Sequence, residues 1–408
     1  MAGARRTPRR HIGLALAGGG PAGAVYEIGA LYALEECLEG LDFADLSIYV
    51  GVSAGAFLTA ALANGVKPSE LARTVVRSEG AESPFSPGTF FKPALRGWAR
   101  QGARLPKLFA TALSRVAVHP GDPSVRESLS RLAGGLPVAI FENEPIRRYL
   151  ARMLSQPGRT DDFRQLKRKL VIVATDLGSG RAIRFGEPGF DHVPISRAVQ
   201  ASSAFPGLYP PVTIDGRPCV DGVLLKTLHA SVALEDGAGL VLCVNPLVPA
   251  DITTGIATGA LRPDALTAGG LVTVLSQTVR TMIHSRLEVG MAAYGTRYPD
   301  SDVVLFEPHP DDYGMFFTNI FSFSARGAVC ELAYQSTRRT LRQRRAEIET
   351  ALARHGITLR GDVLDDTTRT MSTEGAPLAT GSGAGGAAGA TRTLRNTLAR
   401  LADSLRQG

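Results

Sequence analysis

Two glycine-rich turns near the start of the chain constrain its fold most strongly. Residues 11–17 form an apolar run that passes through the first of these turns into a helical pattern at 22–38. A second apolar run at 46–50 leads through the turn 51–55 into a helical pattern at 56–64. Short apolar runs that pass directly into helices are typical of buried strands covered by helices. The two units therefore predict an α/β layered core.

The remainder of the chain continues this alternation. Residues 69–155 are mostly helical in pattern, with proline and glycine interruptions, and are predicted to form a helical insertion. Long helical patterns return at 265–294 and 324–354. The further predicted strands are 170–175, 182–185, 240–244 and 303–306. These elements predict one α/β domain over residues 11–364.

The two ends of the chain differ from this domain. Residues 1–10 form a basic tail, and 365–390 are predicted to be a flexible linker, since Gly, Ala, Ser and Thr dominate there. Residues 391–408 predict a short basic amphipathic helix that meets a surface. Its apolar stripe consists of Leu394, Leu398, Leu401 and Leu405. The arginine-rich stretch 338–345 is instead predicted to be a solvated helix face.

The charge balance favours an anionic partner. The chain has 45 Lys and Arg against 38 Asp and Glu, a formal net charge of +7. It contains no zinc-finger spacing, no aromatic RNA-binding motif and no lysine-rich tract, so nucleic acid is not the expected partner. We expect peripheral contact with a membrane or with the surface of a lipid or polyester granule.

The cysteines and the N-terminus bear on location. The four cysteines are far apart and form no CxxC pair, which predicts neither a metal site nor a disulfide framework and suits a reducing cytoplasm. The basic start followed by an apolar stretch also resembles a signal peptide, so export remains an alternative. The sequence contains no run of about 18 apolar residues, so no membrane-spanning helix is predicted.

The second glycine-rich turn matches a nucleophile motif. Gly51, Ser53 and Gly55 form G-x-S-x-G between a predicted strand and a predicted helix. Small flanking residues allow a strained turn that lifts a serine hydroxyl out of the sheet. Ser53 is therefore the candidate nucleophile, and an ordinary glycine-rich turn is the alternative.

The first glycine-rich turn suits stabilisation of an anion. Gly18, Gly19, Gly20 and Gly23 fit G-x-G-x-x-G, the spacing of a dinucleotide-binding loop. No predicted strand ends at an acidic residue about 20 positions further on, which argues against that interpretation. We expect an oxyanion hole made by backbone N–H groups of Gly18, Gly19 and Gly20.

A third segment supplies a carboxylate. Ile214, Asp215 and Gly216 predict a hairpin turn, and Asp221 then lies at the end of a short strand, directly before Gly222. A turn aspartate that bonds nearby amides is the alternative role for Asp221.

In order and spacing, these three segments resemble the patatin-like phospholipase family. The resemblance includes residues 174–180, 201–206 and 211–216 and covers about 11–248. It implies a three-layer α/β/α fold with a central, mainly parallel sheet. It also implies a calcium-independent hydrolase of lipid esters that needs no cofactor and works through an acyl-enzyme. Ser53 would then be the nucleophile and Asp221 its general base, with Gly18, Gly19 and Gly20 as the oxyanion hole.

The chain departs from the family pattern in three places. Ala22 stands where the family carries Arg or Lys. Val223 stands at the last position of the family's D-G-G or D-G-A motif, and residues 227–230 stand where the family has an Asn-x-Pro-Val segment. A catalytically silent, surface-binding scaffold is therefore an alternative function. Another is a Ser-His-Asp hydrolase, which needs a histidine after Asp221. The candidates are His229, His284, His309 and His355.

Overall fold

The computed structural model describes residues 11–76, 90–94, 138–313 and 326–371. Within these ranges the strands are β1 Ile12–Leu16, β2 Leu38–Glu39, β3 Ile48–Gly51, β4 Lys169–Asp176, β5 Arg181–Phe185, β6 Val212–Ile214, β7 Arg217–Asp221, β8 Leu240–Val244, β9 Asp302–Phe306 and β10 Thr358–Leu359. The basic tail, most of the predicted insertion, residues 372–390 and the predicted amphipathic helix lie outside the described residues.

Helices alternate with these strands. Within the same ranges they are α1 Gly20–Cys37, α2 Ala54–Ala63, α3 Pro68–Leu71, α4 Glu144–Leu154, α5 Ile195–Ser202, α6 Ala230–Glu235, α7 Ile252–Ala257, α8 Ala265–Ala268, α9 Gly270–Arg297, α10 Arg326–Gln343, α11 Arg345–Arg354 and α12 Gly361–Asp365. A π-helical segment, Ala72–Val76, continues α3, and 3-10 turns span Phe163–Gln165 and Gly222–Leu224. Both predicted strand–turn–helix units are confirmed, as β1–α1 and β3–α2.

A central sheet organises the domain. Its strand order is β6-β7-β4-β3-β1-β8-β9, with β5 also paired to β4. The pairs along β4-β3-β1-β8-β9 are parallel, whereas those that join β4 to β5, β4 to β7 and β6 to β7 are antiparallel. The predicted α/β class with a mainly parallel sheet is therefore confirmed.

Side chains that alternate in direction along the strands pack against helices on both faces of this sheet. In β1, Leu14 and Leu16 join the core cluster that includes α1, α2, α5 and α10, while Ala15 belongs to the cluster of α6 and α9. Successive strand residues point to opposite faces, and here both faces are covered. This explains why the parallel strands β1, β3 and β8 are almost entirely apolar.

The helical pattern predicted at 265–294 forms two helices rather than one. The break lies at Gly269 and Gly270, and Gly270 has a φ of 70°, in the left-handed region that ends a right-handed helix. The following helix, α9, has 28 residues. No helix in the described ranges combines the length and apolar character that crossing a bilayer requires.

Arg338 contradicts the predicted solvated face at 338–345. Its side chain is fully buried, and its guanidinium donates to the carbonyl oxygens of Val363, Asp366 and Arg369 at 2.6, 2.5 and 3.0 Å. The guanidinium has five N–H donors in a planar arrangement, so it can hydrogen-bond to several carbonyl oxygens at the end of α12 and in the turn that follows. Residues 365–371, inside the predicted linker, are thereby packed on the domain, with Met371 buried.

Candidate active site

Strand β4 brings the nucleophile turn and the predicted carboxylate together. Strand β5 pairs with β4 along residues 172–176, which leaves the other edge of β4 for both β3 and β7. On that edge Gly51 lies opposite Ile172, and Asp221 lies opposite Ala174. Because β3 runs parallel to β4 and β7 antiparallel, their ends meet, and the chain leaving β3 reaches Asp221.

The turn after β3 is strained at Ser53. Its φ of 52° and ψ of −116° place a non-glycine residue at positive φ, where steric contact disfavours a side chain. The motif glycines allow the close packing that holds this turn. A Cβ on Gly51 would lie 2.1 Å from Thr59 Oγ1, and one on Gly55 would lie 2.5 Å from the Leu16 carbonyl oxygen.

Ser202, at the end of α5, ties the nucleophile turn to the sheet. The N–H of Ser53 donates to Ser202 Oγ at 2.8 Å, and that hydroxyl donates to the Val173 carbonyl oxygen at 2.7 Å. The sequence analysis assigned Ser202 no role. Its segment did belong to the family resemblance, but nothing in the pattern distinguishes it from the adjacent Ser203.

Replacing Ser202 with Ala is expected to destabilise the fold by about 1–3 kcal/mol, because the N–H of Ser53 loses its acceptor in a buried site. Ser203→Ala is the matched control, since Ser203 is adjacent and less buried. Thermal and denaturant unfolding measure both variants. Equal effects of the two substitutions would show that Ser202 does not hold the turn.

Ser53 and Asp221 are in direct contact. Ser53 Oγ donates to Asp221 Oδ2 at 2.7 Å, and Asp221 Oδ1 accepts from the N–H of Val223 at 3.0 Å. The Asp221 backbone is held as well, since its N–H donates to the Ala204 carbonyl oxygen and its own carbonyl accepts from Thr175 Oγ1. Both carboxylate oxygens therefore have a donor, and the group has a defined orientation.

Burial makes this carboxylate more basic than an ordinary aspartate. The Asp221 residue is 2% exposed, and burial raises its pKa to about 7, while the hydrogen bonds from Ser53 and Val223 offset part of that rise. A free aspartate, with a pKa near 3.9, is a weak proton acceptor at neutral pH. Asp221 is thus suited to exchange a proton with Ser53 near pH 7.

The first glycine-rich turn lies against the nucleophile. A Cβ on Gly18 would lie 3.2 Å from Ser53 Cβ and 3.3 Å from Val223 Cγ2, so only glycine fits without displacing these side chains. In the part of the chain that the structure describes, the N–H groups of Gly18 and Gly19 donate to no protein acceptor. Donors left free beside a nucleophile can hold a developing negative charge.

The other glycines of the two motifs support this turn. Gly20, with a φ of 60°, begins α1, and the Gly23 N–H donates to the Gly19 carbonyl oxygen at 3.0 Å. A Cβ on Gly19 would lie 2.8 Å from Gly23 Cα, so a side chain there would separate the turn from the helix. At Gly222 a Cβ would lie 2.4 Å from the Val173 carbonyl oxygen.

The departures from the family pattern leave these backbone contacts in place. At Val223 the N–H supplies the hydrogen bond to Asp221, which any residue other than proline can do. The Val223 side chain is buried in the cluster of α6 and α9 and approaches Gly18, which has no side chain. Ala22 is partly exposed in the first turn of α1.

The candidate histidines lie in other environments. Within the described ranges, none of them hydrogen-bonds to Ser53 or Asp221. His229 is buried, and this burial lowers its pKa to about 3. The contacts of the other three are with acidic or hydroxyl groups: His284 with Glu307, His309 with Thr340, and His355 with Asp302.

The site thus brings together a hydroxyl, a buried carboxylate and the N–H groups of Gly18 and Gly19. A family model described as patatin-like phospholipase matches residues 14–234, more than half of the chain. The chain therefore belongs to the patatin-like phospholipase family. Among the described residues, no group of three His, Cys, Asp or Glu side chains is arranged to hold a metal ion.

Solved structures that match this chain include VipD and ExoU. VipD from Legionella pneumophila is 15% identical, with a TM-score of 0.37, over 83% of this chain and 67% of that chain. The type III effector ExoU is 16% identical, with a TM-score of 0.34, over 83% of this chain and 53% of that chain. The ExoU–SpcU complex from Pseudomonas aeruginosa is 18% identical, with a TM-score of 0.29, over 83% of this chain and 52% of that chain. This chain thus spans about half the length of ExoU.

Proposed function

We propose that this protein is a serine acyl hydrolase that cleaves carboxylic esters of lipids through a Ser53–Asp221 dyad. The observation that carries the proposal is the 2.7 Å hydrogen bond from Ser53 Oγ to a buried carboxylate whose pKa is raised to about 7. Membership of a family described as phospholipases supports the lipid substrate.

Catalysis begins when Asp221 accepts the Ser53 proton as Oγ attacks the ester carbonyl carbon. The carbonyl oxygen becomes an oxyanion, which the N–H groups of Gly18, Gly19 and Gly20 stabilise, the last at the N-terminal end of α1. As the C–O bond of the ester breaks, Asp221 returns the proton to the departing alkoxide, and the acyl group stays on Ser53. Water then attacks this acyl-enzyme with Asp221 as base, which releases the acid and restores Ser53. No step uses a metal or a cofactor.

The family description suggests the substrate class, and the net charge and the cysteines suggest where the protein acts. We expect phospholipid, lysophospholipid or acylglycerol esters, reached from the cytoplasm through peripheral contact with a membrane or granule. The net charge of +7 favours an anionic surface. All four cysteines are free and buried, which agrees with a reducing compartment.

Active-site labelling tests the proposal directly. A fluorophosphonate is expected to modify Ser53, as read by peptide mass spectrometry, and the protein is expected to turn over p-nitrophenyl acyl esters in the presence of a calcium chelator. Ser53→Ala should lose both properties, whereas the neighbouring control Ser203→Ala should keep them. Absence of labelling and turnover in the unmodified protein would instead indicate a silent scaffold. Near-complete loss on replacing one histidine with Gln would indicate a Ser-His-Asp enzyme.

A further inference from the structure

Helix α9 carries a stripe of large apolar side chains that nothing in the described ranges covers. Leu271, Leu275, Met282 and Val289 are 73, 52, 55 and 71% exposed. Their spacing of i, i+4, i+11 and i+18 places them on one side of the helix. Leu287 and Tyr294 lie on the buried side, in the cluster shared with α6. A row of exposed apolar side chains on one side of a helix indicates an interaction surface.

This stripe lies beside the candidate active site. Arg286 Nη1 donates to the Leu224 carbonyl oxygen at 3.1 Å, in the 3-10 turn that directly follows Asp221. Toward its N-terminus, α9 contacts the segment that leaves the carboxyl end of β8, through Gln277 to Ala250 and Arg280 to Val248. The N-terminal half of α9 therefore stands at the edge of the sheet where Ser53 lies.

A further exposed apolar side chain, Leu177, lies at the same edge. It follows the carboxyl end of β4 directly. Val138 and Ile140 are also exposed, and the Ile140 N–H donates to the carbonyl oxygen of Gly207, close in sequence to the Ala204 that holds Asp221. Within the described residues, most of the large exposed apolar side chains thus lie on α9.

The charges on α9 indicate which partner fits the stripe. Helix α9 carries three arginines, Arg280, Arg286 and Arg297, and one acidic residue, Glu288. Arg280 is buried, so the exposed basic side chains of α9 are Arg286 and Arg297. The exposed Lys226 lies close to Leu224 in sequence. A basic apolar surface complements anionic lipid. The chain's own residues 391–408 carry four arginines and one aspartate, so they have the same sign of charge as α9. A second copy would likewise bring two basic helices together.

We propose that the exposed stripe of α9 docks on an anionic lipid bilayer and places the opening of the Ser53 site against that surface. The inference rests on the proposed function for its substrate, because docking presents lipid esters to the site. Leu271, Leu275 and Met282 enter the headgroup region, while Arg286 and Lys226 meet the lipid phosphates.

Vesicle binding by the full chain tests the docking surface. The double variant Leu275→Gln/Met282→Gln is expected to co-sediment at least about tenfold more weakly with phosphatidylglycerol–phosphatidylcholine vesicles, since burial of one such side chain contributes roughly 1.5–3 kcal/mol. The matched control is Ala353→Gln, at an exposed position of α11. Its neighbour Arg354 pairs with Asp302, at the opposite edge of the sheet, so the control should bind like the unmodified protein.

Three outcomes would overturn the inference. The first is unchanged vesicle binding by the α9 variant. The second is binding that fails only when Leu398 and Leu401 are replaced with Gln, which would assign the contact to the C-terminal segment. The third is a change of oligomeric state in the α9 variant without a change in vesicle binding, which would make the stripe an interface between copies.

A fluorescent thiol gives a direct second measurement. All four native cysteines are buried, so Leu275→Cys introduces an exposed thiol that reacts selectively. An environment-sensitive fluorophore at this position is expected to shift to the blue on anionic vesicles, and the same label at Ala353→Cys should not shift. An unshifted label at position 275 would contradict docking. Fluorophosphonate labelling of Ser53 without vesicles reports separately on the proposed function, so either idea can fail alone.

Discussion

Replacing Asp221 with Asn is expected to lower kcat/KM for p-nitrophenyl acyl esters by roughly two to four orders of magnitude, the contribution of a positioned general base. Asparagine keeps the size of the side chain but cannot accept the Ser53 proton. The matched control is Asp176→Asn, since Asp176 is a buried carboxylate on the neighbouring strand that bonds Ser179 and Arg217 rather than Ser53. Steady-state kinetics of both variants, alongside their unfolding temperatures, separates lost chemistry from lost folding.

The same carboxylate predicts the pH dependence of the unmodified protein. Asp221 acts as a base only when deprotonated, and burial raises its pKa to about 7. We therefore expect kcat/KM to rise with pH through about 7 and then to level off. An ordinary aspartate would already be deprotonated above about pH 5. A profile that is flat between pH 5 and 8, or full activity in Asp221→Asn, would contradict the role of Asp221 as base.

Replacing Glu27 with Gln is expected to stabilise the protein, and more so as pH rises. Glu27 lies in α1 and is fully buried, and within the described residues it forms no ion pair; the Ala17 backbone only partly offsets the effect of burial. This burial raises its pKa well above the usual range. Above about pH 4.3 the unfolded chain releases the Glu27 proton, whereas the folded chain keeps it. The free energy of unfolding therefore falls as pH rises from about 4.3 toward the pKa of Glu27 in the folded chain.

The expected size follows from that linkage. The free energy of unfolding of Glu27→Gln should exceed that of the unmodified protein by an amount that grows by up to about 1.4 kcal/mol per pH unit above about pH 4.3. Asp221 titrates with the same sign in both chains, so its effect cancels in the difference. Glu39→Gln, at an exposed position of β2, is the control. Denaturant unfolding from pH 4 to 8 measures the difference, and a constant difference would show that Glu27 is not buried and protonated.

The elements near the site were predictable because their causes are local. Strands buried on both faces must be apolar runs, and turns that pack this closely must contain glycine, so β1, α1, β3 and α2 are visible in the sequence. The prediction was wrong at Arg338 because a helix face rich in arginine looks the same whether water or the carbonyls around α12 surround it. Likewise, the break at Gly270 depends on a left-handed backbone that a helical pattern does not reveal.

The sequence by itself determined the two glycine-rich turns and the α/β class, since each depends on residue type and short-range spacing. The candidate pair Ser53 and Asp221 came from the order of three segments and their resemblance to a known family. Only the tertiary structure decided that β3 and β7 meet end to end along β4, that Ser202 holds the turn at Ser53, and that Glu27 is fully buried. It also decided that the apolar stripe of α9 faces outward. These features depend on contacts between residues far apart in the chain, and such contacts form only when the sheet assembles.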